Sequence, residues 1–203
     1  MATYASIKYD MALSSNATGA GALTLLSTQT ASSSATISFT SGIDSTYKEY
    51  IFKFYDVHLA TDQADLQFNM SVDTGSNYNV TKTTTAFRAF HNEGGTDTNL
   101  SYHTGEDLAQ GTGFQSIAYE TDNANDSGIS GYLHLYDPSN TTFVNHFIAQ
   151  TSSCLDGGAS YGIYNLNFFT AGYGNTTSAV DAVQFKMSSG NIDAGVIKMY
   201  GVS

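Results

Sequence analysis

The sequence predicts an all-β protein, an antiparallel two-sheet sandwich of the jelly-roll kind with about ten strands. Three observations predict it. Apolar residues recur with period two along most of the chain; the segments between such runs are turns, not helices; and no window of a dozen residues shows the three-and-four spacing of an amphipathic helix. Helix is expected at most as a short turn within 107 to 110.

The elements follow in order. ALTLLSTQT (22 to 30) and ATISFTSGI (35 to 43) are rich in β-branched residues and are separated by 31 to 34. In YKEYIFKFYDVHLA (47 to 60), Tyr50, Phe52 and Phe54 oppose Glu49 and Lys53. ADLQFNMSVD (64 to 73) alternates throughout, with Leu66, Phe68, Met70 and Val72 on a dry face and Asp65, Gln67, Asn69, Ser71 and Asp73 on a wet one. VTKTTTAFRAFH (80 to 91), GFQSIAYET (113 to 121), SGYLHLYDPSN (130 to 140), TTFVNHFIAQTS (141 to 152) and GIYNLNFFTAG (162 to 172) are further strands, bounded by turn residues. The closing stretch VQFKMSSGNIDAGVIKMYGVS reads as a tight hairpin about Ser-Gly-Asn. An odd-length loop would set Phe185 opposite Ile197 and Val183 opposite Met199. It would gather Val183, Phe185, Met187, Ile197 and Met199 on one face and leave Lys186 and Lys198 together on the other.

With 203 residues, one proline (Pro138) and no run that reads as a tether, 22 to 203 is expected to be a single domain, preceded by a polar arm over 1 to 21. Charged residues make up 12% of the chain, about half the usual share, so Ser, Thr, Asn and Gly must build the surface. The formal charge is -11 and the seven Lys and Arg are scattered, which argues against nucleic acid as a partner. No apolar run is long enough for a membrane span, so no membrane insertion is expected. The single cysteine, Cys154, excludes an internal disulfide and a thiolate metal site.

Candidate chemistry is sparse. Gly158 to Gly162 (GASYG) matches the nucleophile-elbow pattern around Ser160, but a strand follows where that motif needs a helix, so the segment reads as a turn. His134 and His146 would face each other if a hairpin formed about Pro138 and Asn140; a metal there would still lack a third ligand. TDNANDSG (121 to 128) fails the spacing of a calcium loop because Ala124 stands at the third position, and it reads as an Asx-rich turn. Asp62 with Asp65, and Glu106 with Asp107, are the carboxylate pairs a glycosidase reading would need. No catalytic, cofactor or metal residue is therefore assigned, and no enzyme activity is expected. The interaction candidates are tyrosines in polar loops, Tyr78, Tyr102 and Tyr161.

The order of strands in TASSSATISFTSGIDSTYKEYIFKFYDVHLATD (30 to 62), GYLHLYDPSNTTFVNHFIAQT and VQFKMSSGNIDAGVIKMYGV, with their Ser/Thr-rich turns, resembles structural virion proteins of tailed bacteriophages, marine phages in particular. The likeness covers most of the chain after residue 22. It implies a jelly roll within a virion assembled in the host cytoplasm and supplies no catalytic residues. The expectation is a capsid decoration or cement protein, a homotrimer, with itself and the major capsid protein or another virion protein as partners. The alternatives are a tail-fibre or other receptor-binding domain that grips host glycan, and a lectin-like or glycosidase jelly-roll module.

Overall fold

The computed structural model describes residues 22–203; the expected arm over 1 to 21 lies outside them. Twelve strands form: β1 (Leu23–Thr30), β2 (Ile37–Phe39), β3 (Glu49–Leu59), β4 (Leu66–Ser71), β5 (Lys82–Asn92), β6 (Thr98–Tyr102), β7 (Gln115–Ser116), β8 (Ile129–Tyr136), β9 (Asn145–Asp156), β10 (Ile163–Gly174), β11 (Ala182–Met187) and β12 (Ile192–Val202). They pair antiparallel in an eight-stranded sheet, β1-β12-β3-β8-β9-β10-β5-β6, and a four-stranded sheet, β2-β11-β4-β7.

Eight of these strands nest. β1 pairs with β12, β2 with β11, β3 with β8 and β4 with β7, so the chain folds back on itself in four concentric pairs split between two sheets. That is the connectivity of a jelly roll. The remaining four are additions: β5 and β6 lie between β4 and β7 in sequence, β9 and β10 between β8 and β11, and together they extend the larger sheet beyond β8.

The core lies between the sheets and centres on Phe185. The rings of Phe39, Phe52, Phe54 and Phe68 surround it at centroid distances of 5.3 to 6.5 Å, three of them edge-on, the orientation that sets a ring's positive rim against its neighbour's negative face.

Along the extension the inner face is covered mainly by the segment 105 to 118, irregular apart from the two residues of β7. Irregular backbone leaves carbonyls and amides without ladder partners, and polar side chains on the strands supply them. Thr151 Oγ1 donates to Ile117 O at 2.6 Å and Thr170 Oγ1 to Ser116 O at 3.0 Å, while Thr84 Oγ1 accepts the Leu108 amide at 2.8 Å. The buried threonines are thus matched to a loop, where an apolar face would have orphaned its backbone.

Four sequence expectations are corrected. The final stretch is not a hairpin: β11 belongs to the small sheet and β12 to the large one, and 188 to 191 carries the chain between layers. Val183, Phe185, Met187, Ile197 and Met199 do share the core, but by facing each other across the sandwich, so Lys186 and Lys198 lie on opposite outer faces, Lys186 over the Phe114 ring and Lys198 over Tyr55. The wet face of 64 to 73 is not uniformly wet, for Asn69 and Ser71 are fully buried and Val72 is exposed. Residues 98 to 102, read as loop, form edge strand β6, and 107 to 110 is a bend, with no helical turn.

Candidate binding face

The sequence-predicted chemical groups do not converge. Ser160 sits in the turn before β10, with no helix after it. β8 and β9 do pair around Pro138, yet His134 lies opposite Ile148, two residues out of register with His146, and instead contacts the Glu49 carboxylate. Asp122 turns inward, accepting from the Ala124 amide and the Ser127 hydroxyl as an Asx turn does. Asp62 is exposed, whereas Asp65 is held by the Glu120 amide at 2.8 Å and the Ser116 hydroxyl at 3.1 Å. Burial first, then the neighbouring Glu106 and Glu120 charges, push its carboxyl up to about 6. The acidic neighbours of Asp65 are therefore not the one that sequence proximity suggested, and Asp107 instead accepts from Tyr102. Among the described residues no group of three or more His, Cys, Asp or Glu is placed to hold a metal. Burial pushes the Cys154 thiol up, away from thiolate chemistry.

The three candidate tyrosines stand apart. Tyr78 lies in the β4–β5 loop, its hydroxyl enclosed and unpaired and its carbonyl accepting from Asn69. Tyr102 is on edge strand β6, and Tyr161 is at the tip of the β9–β10 loop near Tyr164.

What the fold does assemble is the outer face of the large sheet. Because paired residues share a face, register alone builds two rows across it. One runs Tyr136, His146, Tyr173, Thr83 over β8, β9, β10 and β5; the next runs His134, Ile148, Ala171, Thr85. Beyond them, Gln150, Phe169, Phe87 and Tyr102 form a third, in which Phe87 stacks on Phe169 with centroids 5.0 Å apart. Ala171 stands between Phe169 and Tyr173 on alternate positions of one strand, so the middle row dips. The result is a trough of about 500 Å³ lined by Tyr136, His146, Ile148, Ala171, Tyr173 and the threonines of β5.

None of the lining side chains is Lys, Arg, Asp or Glu. Most sequence candidates lie in loops, whereas this face is assembled only by the registers of four strands distant along the chain. Its signal was present, however, in the alternating aromatics of YLHLY and in Ala171, the one small residue among the outward positions of FFTAGY.

At both ends of the large sheet an edge strand is uncovered among the described residues. β1 exposes Leu23 and Leu25 (51%), and β6 exposes Leu100 (70%) and Tyr102. Neither strand contains a charge or a proline, the usual guards against edge pairing. No protein-family model matches the chain, and no curated protein matches it.

Proposed function

We propose that this protein is a non-enzymatic structural component of a tailed-phage virion, a decoration protein that sits on the outer capsid surface as a ring of identical copies. The observation that carries the assembly half of this reading is the pair of edges, β1 and β6, left uncovered by the described residues at opposite ends of one eight-stranded sheet. Two different edges that join head to tail make a heterologous contact, which closes into a ring when the rotation between copies is right, and three copies suit a threefold lattice position. Each junction would pair backbone groups that the edges leave open and cover Leu25 against Leu100.

The jelly-roll connectivity, the charge-poor Ser/Thr/Asn-rich surface and the resemblance to phage structural proteins support the virion half. A net charge of -11 keeps displayed copies soluble. The absence of an assigned reaction centre is an expectation of this reading and not support for it.

The test is to incubate purified protein with phage capsids that lack it and image them by cryo-electron microscopy. Ordered density at local symmetry axes, fitted by a closed ring with β1 beside β6 of the next copy, is the expected result. Capsids that remain bare at saturating protein would overturn the decoration role.

A further inference from the structure

We propose that the trough on the outer face of β8, β9, β10 and β5 is a binding site for a neutral oligosaccharide. The inference goes beyond the assembly reading and does not depend on it.

The first argument is chemical composition. Pyranose rings present apolar C–H faces rimmed by hydroxyls, and they bind where aromatic or aliphatic surface lies beside hydroxyl and ring-nitrogen groups. Here Ile148 and Ala171 make an apolar floor, while Tyr136, Tyr173 and His146 form a rim of aromatic side chains that also carry polar atoms. The His146 and Tyr173 rings stand at 60°, centroids 5.9 Å apart, so the two faces do not stack on each other. The Tyr136 and Tyr173 hydroxyls and the His146 ring nitrogens take no hydrogen bond from another described side chain, which leaves them for a ligand; of the β5 hydroxyls, Thr83 accepts from Gln110 and keeps its own proton to donate, while Thr85 donates to Ala171 O and keeps acceptor capacity.

The second argument is charge. The protein carries -11, yet no ionised side chain lines the trough. A polyanionic glycan would meet a repulsive field with no cation to pair it, and a polycationic ligand would find no carboxylate in the trough itself. A neutral chain pays neither cost.

The third is shape and position. Three strand spacings set Tyr136 and Thr83 roughly 15 Å apart, the span of a short oligosaccharide, and the volume falls within the range of small-ligand sites. Three of the four strands beneath the trough, β9, β10 and β5, are additions to the eight nested strands. Ala171 is on β10, two strands in from the β6 edge, so a ring closed through the edges leaves it open.

The experiment is titration of the full chain with neutral hexasaccharides of glucose, mannose and galactose in α and β linkage, followed by intrinsic tyrosine fluorescence and calorimetry, with oligoalginate as the charged control. Ala171→Tyr, which fills the floor from the solvent side, and Tyr173→Ala, which removes one wall, are run beside it. Circular dichroism and solution mass report separately on folding and assembly. The expected result is binding of at least one neutral series with a dissociation constant of roughly 10 μM to 1 mM, weakened tenfold or more by both substitutions with fold and mass unchanged. No binding across the neutral panel, equal binding of oligoalginate, or binding that survives Ala171→Tyr in a folded protein would overturn the proposal. None of these results would alter the oligomeric mass on which the assembly reading stands.

Discussion

Lys82 Nζ donates to Asn69 Oδ1 at 2.6 Å and to Val80 O at 2.8 Å, and both Lys82 and Asn69 are wholly buried. Asn69 is a hub: its amide donates to Tyr78 O at 2.6 Å and Thr112 O at 3.0 Å, which ties the β4–β5 loop and the segment before β7 to the small sheet. Among the described residues no carboxylate compensates the amine, and burial pushes it down to about 7 from its ordinary 10.5.

This pair predicts an unusual alkaline gain in stability. Between pH 7 and 10.5 the unfolded chain holds the lysine proton and the folded chain does not, so the free energy of unfolding rises with pH across that window and levels off outside it. Urea unfolding at pH 7, 8.5 and 10 is expected to show a rising midpoint. Lys82→Met should remove the rise and stay within about 1.5 kcal/mol of the parent at pH 7. Asn69→Ala, which strands the amine and two carbonyls, should cost about 3 kcal/mol or more. A flat parent profile from pH 7 to 10 would contradict the placement of Lys82.

Asp65 predicts the opposite slope at lower pH. Its folded carboxyl keeps the proton to about 6 while the unfolded one loses it near 3.8, so this group favours the fold fully below pH 3.8 and loses that contribution as pH rises to 6. Asp65→Asn keeps an acceptor for the Glu120 amide and a donor for Ser116. The variant is expected to melt at or above the parent temperature at pH 7.5, with a flatter profile between pH 4 and 6, read by scanning calorimetry. A drop of several degrees at pH 7.5 would count against it.

Gly195 marks where β12 shifts register on β3 between Ala194 and Val196. Its φ is +109°, and a Cβ there would stand 2.6 Å from both Asp56 O and Val57 Cα. Opposite it Asp56 adopts φ +47°, its amide donating to Ser130 Oγ at 3.1 Å. The two residues form a bulge that bends the centre of the large sheet. Gly195→Ala is expected to destabilise by about 2 kcal/mol or more, because the clash is with backbone. Chemical denaturation measures it directly.

Much of the fold was legible because a period of two decides which face a residue takes. It does not decide which sheet a strand joins, and the last 21 residues show the gap: the core set Val183, Phe185, Met187, Ile197 and Met199 is the same whether β11 and β12 pair side by side or face each other across the sandwich. Lys82 was hidden for a related reason. In VTKTTTAFRAFH the inward set is Lys82, Thr84 and Ala86, and Phe87 points outward, because this part of the sheet is lined by a loop that needs donors. The binding face was harder still to see. His146, Ala171 and Thr85 are distant in sequence and meet only through the registers of β9, β10 and β5.

The edges give a final substitution test. Leu25 and Leu100 contribute little to the core, so Leu25→Lys or Leu100→Lys should leave melting within about 0.5 kcal/mol of the parent while placing a charge in the proposed junction. Each is expected to prevent assembly by itself, since each junction uses one β1 and one β6.

The measurement that tests assembly through unguarded sheet edges most directly is solution mass by size exclusion with light scattering, on the parent and on Leu100→Lys. The account predicts a parent of three times the 21.6 kDa of one chain and a variant of a single chain's mass. A parent that runs as one chain at tens of micromolar, or an oligomer that survives the charged edge unchanged, would contradict it.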